Sequence, residues 1–540
     1  MLRIFSLLFF CVISCSASAT VSETQNKSVL SVLVEQLPTT KLNKMALLIE
    51  KISATSTPQV REILDSLMKG NLYYLKSNQQ VVSVQINQQK QYLLTDVLTA
   101  ETLLPVQKSA LKKIKTNNRL RGKIRVLLAN LDLTHKDKAV RITALKQLLN
   151  KPSKASTSTV ATLIKREQSE DVRKLMAVFL LIEQLENGPV IEKLAATKQL
   201  SERLEPVVKN ALVKQLNLLP EQPENKLLRS SLTQAIDNIE QQATVYSWLE
   251  NLFFGLSLGS VLLLAAIGLT ITFGVMGVIN MAHGEMMMLG AYTTYVIQQT
   301  FPSLIEYSLL MAVPAAFFVS AFVGVLIERG VIRFLKGRPL ETLLATFGIS
   351  LILQQLVRSV FSPLNRQVQA PQWMSGSLDI NPMLSFTYNR LYIILFALIV
   401  FLSLLMILKK TSLGLHVRAV SQNRDMARAL SIKSSWVDAI TFGLGSGIAG
   451  VAGVALSQLT NVGPNLGQAY IIDSFLVVVF GGVGNLWGTL VAAMTMGTFN
   501  KFLEPSMGPV LANIIVLVSL VLFIQKRPKG LFPQKGRSAE

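Results

Sequence analysis

The sequence predicts an all-α chain in two parts: a polar helical-repeat domain, then a polytopic α-helical membrane domain. Three observations carry this. Residues 248–525 hold several uncharged runs of 18 or more residues, long enough to cross a bilayer core of about 30 Å. Residues 20–247 are polar and rich in Lys, Gln, Asn and Thr. Short amphipathic stretches recur through that polar part at helical spacing. The 540 residues are 50% hydrophobic with a mean hydropathy of +0.42, and the apolar surplus sits in the second part.

Residues 1–19 read as a secretory signal. Arg3 supplies the positive start. Ile4 to Ile13 is an apolar core too short to span, and Ala17-Ser18-Ala19 is a small-x-small cleavage site. An uncleaved first helix and a lipoprotein signal at Cys15 are the alternatives. Both cysteines, Cys11 and Cys15, lie in this segment. Cleavage after Ala19 leaves a chain without thiols, which excludes disulfides, thiol catalysis and Cys metal sites. Export puts residues 20–247 outside the cytoplasmic membrane. The net charge of +21 then argues for membrane topology rather than for nucleic acid as a partner.

In the polar part, "DKAVRITALKQLL" (Asp137 to Leu149) and "SEDVRKLMAVFLLIEQL" (Ser169 to Leu185) share a Val-Arg pair 32 residues apart. "TPQVREILDSL" (Thr57 to Leu67) carries the same pair. Recurring helices of this kind point to an α-solenoid related to the HEAT type. Residues 81–94, "VVSVQINQQKQYLL", alternate like strands and predict a small inserted β-hairpin.

In the membrane part, no Asp, Glu, Lys or Arg occurs in the 34 positions between Glu250 and Glu285. As one helix these would span about 50 Å, so the segment must break. Gly274 and Gly277 mark the place, giving spans at about 252–273 and 284–304. Further spans are expected at 307–327, 342–360, 391–408, 436–457 and 506–525. Lys and Arg cluster in 328–341, in 409–434 and after residue 525, which the positive-inside rule places in the cytoplasm. An exported first domain and a cytoplasmic tail require an odd number of crossings. Seven full spans satisfy that. The uncharged run Ser474 to Asn500, interrupted by "GGVGN", then forms a pair of short helices. The limits are 20–247 for the exported domain, 248–526 for the membrane domain and 527–540 for the basic tail.

Several stretches now point to a family. "GLSLGSVLLLAAIGLTITFGVMGVINMAHGEMMMLGAY" (Gly255 to Tyr292), "LLATFGISLILQQ" (Leu343 to Gln355), "GLHVRAVSQNRDMARALSI" (Gly414 to Ile432) and "GIAGVAGV" (Gly447 to Val454) resemble signatures of the branched-chain amino acid ABC-transporter permeases. The exported helical domain ahead of that core resembles the urea-type subunit of the family. The resemblance implies an ABC importer permease domain without enzyme activity or cofactor, in a bacterial inner membrane. It implies a second permease subunit, two ATP-binding ATPase subunits and a periplasmic solute-binding protein as partners, besides membrane lipid. Gly122-Lys123 is followed by Ile124, so no Walker A motif is present and ATP is hydrolysed on another chain.

The resemblance also implies a coupling helix within Arg418 to Ile432, with Arg418, Gln422, Asn423, Met426, Ala427 and Leu430 facing an ATPase groove. A basic loop serving only topology is the other reading. For the path or gate the candidates are Asn280, His283, Glu285, Gln354 and Asn485, polar groups set in apolar surroundings. Asn280 and Asn485 both close a Phe-Gly motif at a predicted helix break, "FGVMGVIN" and "FGGVGN". Each candidate also has a structural reading, as a helix cap or a helix-to-helix hydrogen bond. The three histidines, His135, His283 and His416, are unpaired in sequence, so no metal site is expected. Met286, Met287 and Met288 read as packing, and the glycines of 443–453 as close helix approach. Branched-chain amino acids or short amides are the alternative solutes, and a membrane sensor with an exported ligand-binding domain is the alternative class.

Overall fold

The structure is a computed structural model that describes residues 29–55, 57–86, 92–99, 101–103, 110–149, 154–220 and 222–533. The expected signal segment and the last residues of the basic tail lie outside that set. The chain divides into two compact units between Glu240 and Gln241.

In the first unit, a helical stretch at residues 29–35 is followed by α1 (Leu42–Ala54) and α2 (Pro58–Lys69). Pro58 starts α2, where its missing N–H costs nothing, and Gly70 ends it at φ +73°. The chain then enters five antiparallel strands: β1 (Leu72–Leu75), β2 (Val81–Ile86), β3 (Tyr92–Asp96), β4 (Thr102–Leu103) and β5 (Leu111–Lys113). Their order is β4-β3-β2-β1-β5. The expected hairpin is the β2–β3 pair, with Val84 opposite Leu94. Alternation buries Val82, Val84, Leu94 and Leu111 on one face. An all-α description therefore fails for this unit. The flanking strands β1, β4 and β5 have 4, 2 and 3 residues, too short to show a period of two.

Helices resume with α3 (Asn118–Asp132), α4 (Lys138–Leu149), α5 (Lys154–Leu163), α6 (Glu170–Asn187), α7 (Val190–Leu200) and α8 (Pro206–Leu218). Two of the three Val-Arg pairs share a local role, while Arg61 of the first bonds Asp132 at 2.7 Å. Arg141 donates to the carbonyls of His135 and Lys136, and Arg173 donates to those of Glu167 and Gln168. Each arginine thus satisfies backbone acceptors in the turn before its own helix. Val60 and Val172 are buried.

Helix α9 (Lys226–Met276) begins in the first unit and ends in the second. The second unit continues with α10 (His283–Thr300), α11 (Ser308–Gly330), α12 (Pro339–Phe361), strands β6 (Ser377–Asn381) and β7 (Leu384–Thr387), α13 (Tyr388–Lys410), α14 (Ser412–Gln422), α15 (Arg424–Ala429), α16 (Ser434–Ser457), α17 (Leu466–Gly481) and α18 (Leu486–Lys526). Among the described residues, six helices are long and apolar enough to cross a membrane: α9, α11, α12, α13, α16 and α18. The long apolar segment before Glu285 breaks where α9 ends, and Gly277 takes φ +70°.

Helix α18 is a hairpin rather than a rod. Pro505, Gly508 at φ +79° and Pro509 interrupt it. Asn500 hydrogen-bonds Asn513 across the two limbs. The second limb returns to the start of the first, where the Phe523 ring lies 4.8 Å from that of Phe480 and the Leu531 amide donates to the Phe480 carbonyl at 2.9 Å. The connections therefore gather at two ends. One end holds the Lys- and Arg-rich loops. The other holds the α18 tip, the Arg366–Val462 bridge and the Trp373 indole donating to the Glu306 carbonyl.

Helix α16 is central. Its apolar window is 89% buried, against 22% for α13. It packs most extensively on α11 and then on α10. Small residues make this possible: a Cβ on Gly290 would strike the Gly450 carbonyl, and one on Gly453 would strike that of Met287. Met286, Met287 and Met288 are all buried in this packing. Replacing Gly450 with Leu should cost about 1–3 kcal/mol through overpacking. The expected result is a lower thermal midpoint for the purified chain in detergent, and an unchanged midpoint would contradict it.

Candidate functional site

Helix α12 presents Thr342, Thr346, Ser350 and Gln354 at four-residue intervals, all buried. This spacing places them on one helix face. That face meets the start of α10. The Met281 amide donates to Thr346 Oγ1 at 3.2 Å. Ser350 Oγ and Gln354 Nε2 both donate to Glu285 Oε1, at 2.9 and 2.8 Å. Glu285 is 1% exposed, and its Oε2 has no partner among the described residues.

His283 is fully buried, and its Nε2 donates to the Ala265 carbonyl at 3.0 Å. Asn280 Oδ1 accepts from the Ala282 amide at 3.0 Å and shapes the turn into α10. Asn280, His283, Glu285 and Gln354 are all buried, but only Glu285 and Gln354 bond each other; His283 turns to α9 and Asn280 bonds within its own turn. Gln355, on the other face of α12, is exposed.

Asn485 sits elsewhere. Its Oδ1 accepts from the amides of Trp487 and Gly488, capping α18, and its Nδ2 donates to the Phe532 carbonyl at 3.2 Å. It works as a helix cap and end tie, apart from the Glu285 group.

The segment expected to form one coupling helix is two. Helix α14 ends at Gln422, and α15 begins after Asn423, whose Oδ1 accepts from the Met426 amide at 3.0 Å. An Asn in this role starts a new helix. Arg418 donates to the Leu408 carbonyl at 2.5 Å. Ala427 is buried, while Met426 and Leu430 are 60% and 70% exposed. A surface for a partner on α15 therefore consists of Met426 and Leu430, with Ala427 in the subunit's own core.

Asp438 near the start of α16 was not singled out from sequence. It is 2% exposed on its side chain. Arg424 grips it with two bonds, Nη1 to Oδ2 at 2.8 Å and Nη2 to Oδ1 at 2.9 Å. Lys336, from the α11–α12 connection, bonds the same carboxylate. A lone acid early in an apolar helix, next to basic loops, was the available signal. Among the described residues, no group of His, Cys, Asp and Glu could hold a metal.

A family model described as the branched-chain amino acid transport system permease component matches residues 251–524. The chain belongs to this family. The permease is a transport subunit of an ABC importer and a multi-pass inner-membrane protein. It is 28% identical over 298 residues to the high-affinity branched-chain amino acid transport system permease protein BraD of Pseudomonas aeruginosa, covering 53% of this chain and 96% of that one. It is 30% identical over 297 residues to the corresponding LivH protein of Escherichia coli K12, covering 53% and 95%. It is 28% identical over 293 residues to the ribose import permease protein RbsC of the same strain, covering 52% and 87%. No solved structure matches.

The Glu285 cluster yields a test. Replacing Glu285 with Leu leaves the Ser350 hydroxyl and Gln354 amide without their acceptor, at about 1–3 kcal/mol per buried group. Glu285→Gln keeps a carbonyl oxygen there. The thermal midpoint should fall more for Leu than for Gln. The reverse order would show that the cluster does not hold α10 to α12.

Proposed function

We propose that this permease serves a urea-type ABC importer. It forms the translocation path with a second permease subunit, is driven by two ATPase subunits and receives solute from a periplasmic binding protein. The observation that carries the urea reading is the extra unit. The relatives match almost over their whole length yet cover only about half of this chain, and the family model matches from residue 251. In this reading the first unit is a HEAT-like periplasmic domain whose curved surface meets the binding protein. The C-terminus is cytoplasmic, and the basic loops face the ATPases.

Helix α15 is the coupling element. Met426 and Leu430 offer apolar anchors to an ATPase groove, and the Arg424–Asp438 bond links α15 to the central helix α16. Asn280, His283, Glu285 and Gln354 form the gate region, where α10 and α12 can slide against each other through polar contacts. Branched-chain amino acid import is the second reading, favoured by the names of the relatives.

Two measurements test this. Uptake of radiolabelled urea and leucine, in cells deleted for this chain, should show loss of urea uptake alone. Lost leucine uptake with intact urea uptake would replace the first reading by the second. Met426→Asp combined with Leu430→Asp should abolish solute-stimulated ATPase activity in the assembled complex while the subunit still inserts. Wild-type stimulation would remove α15 from coupling.

A further inference from the structure

A cavity of about 300 Å³ opens between α9, α17 and the two limbs of α18. That volume lies at the lower end of small-molecule sites. Leu258, Leu262, Met496 and Val516 form its apolar walls. Its polar lining is unusual for membrane-embedded helices: Tyr470 and Asp473 from α17, with Asn500, Lys501, Glu504 and Asn513 from α18. Most of these groups already have partners. Asn500 bonds Asn513, and Lys501 bonds Glu504. Asp473 is the exception. Among the described residues it has no hydrogen bond and no ion pair, although it is the only Asp, Glu, Lys or Arg in the 16 residues of α17. A carboxylate in a membrane helix is costly unless a partner or a cavity accommodates it.

The cavity lies toward the α18 tip, the end away from the basic loops. A carboxylate only accepts hydrogen bonds, so what it lacks is an N–H or O–H donor, and urea and ammonium groups supply N–H. Tyr470 lines the same cavity, and a tyrosine hydroxyl can accept or donate.

We infer that this cavity is a solute subsite in which Asp473 accepts the N–H groups of an amine or amide solute. An amide such as urea and the ammonium of an amino acid share this chemistry. The inference rests on the importer reading above.

The test is initial-rate uptake of radiolabelled urea and leucine by cells carrying the full chain with its partners, as wild type, Asp473→Asn or Tyr470→Phe. Loss of a charge-assisted hydrogen bond should raise the KM of the transported solute roughly tenfold or more in Asp473→Asn. The maximal rate should change little, and the ATPase subunits should co-purify normally. Tyr470→Phe should raise KM about two- to tenfold, and it carries the test if Asp473→Asn fails to insert. A wild-type KM in an inserted variant would overturn the subsite and leave the importer reading intact. A raised KM for leucine, with no urea uptake by the wild type, would keep the subsite and remove the urea reading. Uptake of neither solute by the wild type would overturn both.

Discussion

One buried carboxylate ties three elements of this permease together. Asp438 sits at the start of the most enclosed helix, α16, and receives Arg424 from α15 and Lys336 from the α11–α12 connection. Removing one partner of such a pair leaves a buried charge exposed to low dielectric and costs about 3–5 kcal/mol. The bidentate arginine fixes geometry as well as charge. In the coupling proposed above, a push on α15 would reach α16 through this short, directional link. From α16 it would pass to α10 and α11, because Gly290, Gly450 and Gly453 leave no side-chain cushion between these backbones. Packed helices with two discrete arrangements carry such displacements; soft contacts absorb them.

The two polar regions of the membrane unit differ in kind. Around Glu285 the donors of Ser350 and Gln354 are engaged on Oε1, so that cluster joins α10 to α12, although Oε2 has no partner among the described residues. Around Asp473 the acceptor is unmatched and a cavity lies in front of it. A transport path needs both: a place where a solute is held by incomplete bonding, and a place where helices part without exposing many unsatisfied groups.

Much of the membrane unit was legible in the sequence because bilayer thickness is a strict ruler. The 34 positions before Glu285 could not form a single span, and the helix does end beside Gly277. Gln354 was legible as a helix-to-helix bond, since an amide deep in an apolar segment needs a partner. Its neighbours Thr346 and Ser350 were overlooked, although the four-residue spacing was visible. Asp473 was overlooked because it borders an uncharged run and was counted as its edge. Asp438 stood among basic residues and was lost in their charge. The break at Asn423 was missed because apolar spacing continues across it while the capping geometry does not. In the first unit, strands of two to four residues carry no readable period, so the sheet around the β2–β3 hairpin was invisible.

The link from α15 to α16 is tested most directly by a double-mutant cycle on solute-stimulated ATPase activity in the assembled complex. The variants are Arg424→Gln, Asp438→Asn and the pair together. If the two groups act as one connection, each single change should lower stimulation and the double change should lower it no further than the worse single. Effects that multiply independently would contradict transmission through this bond.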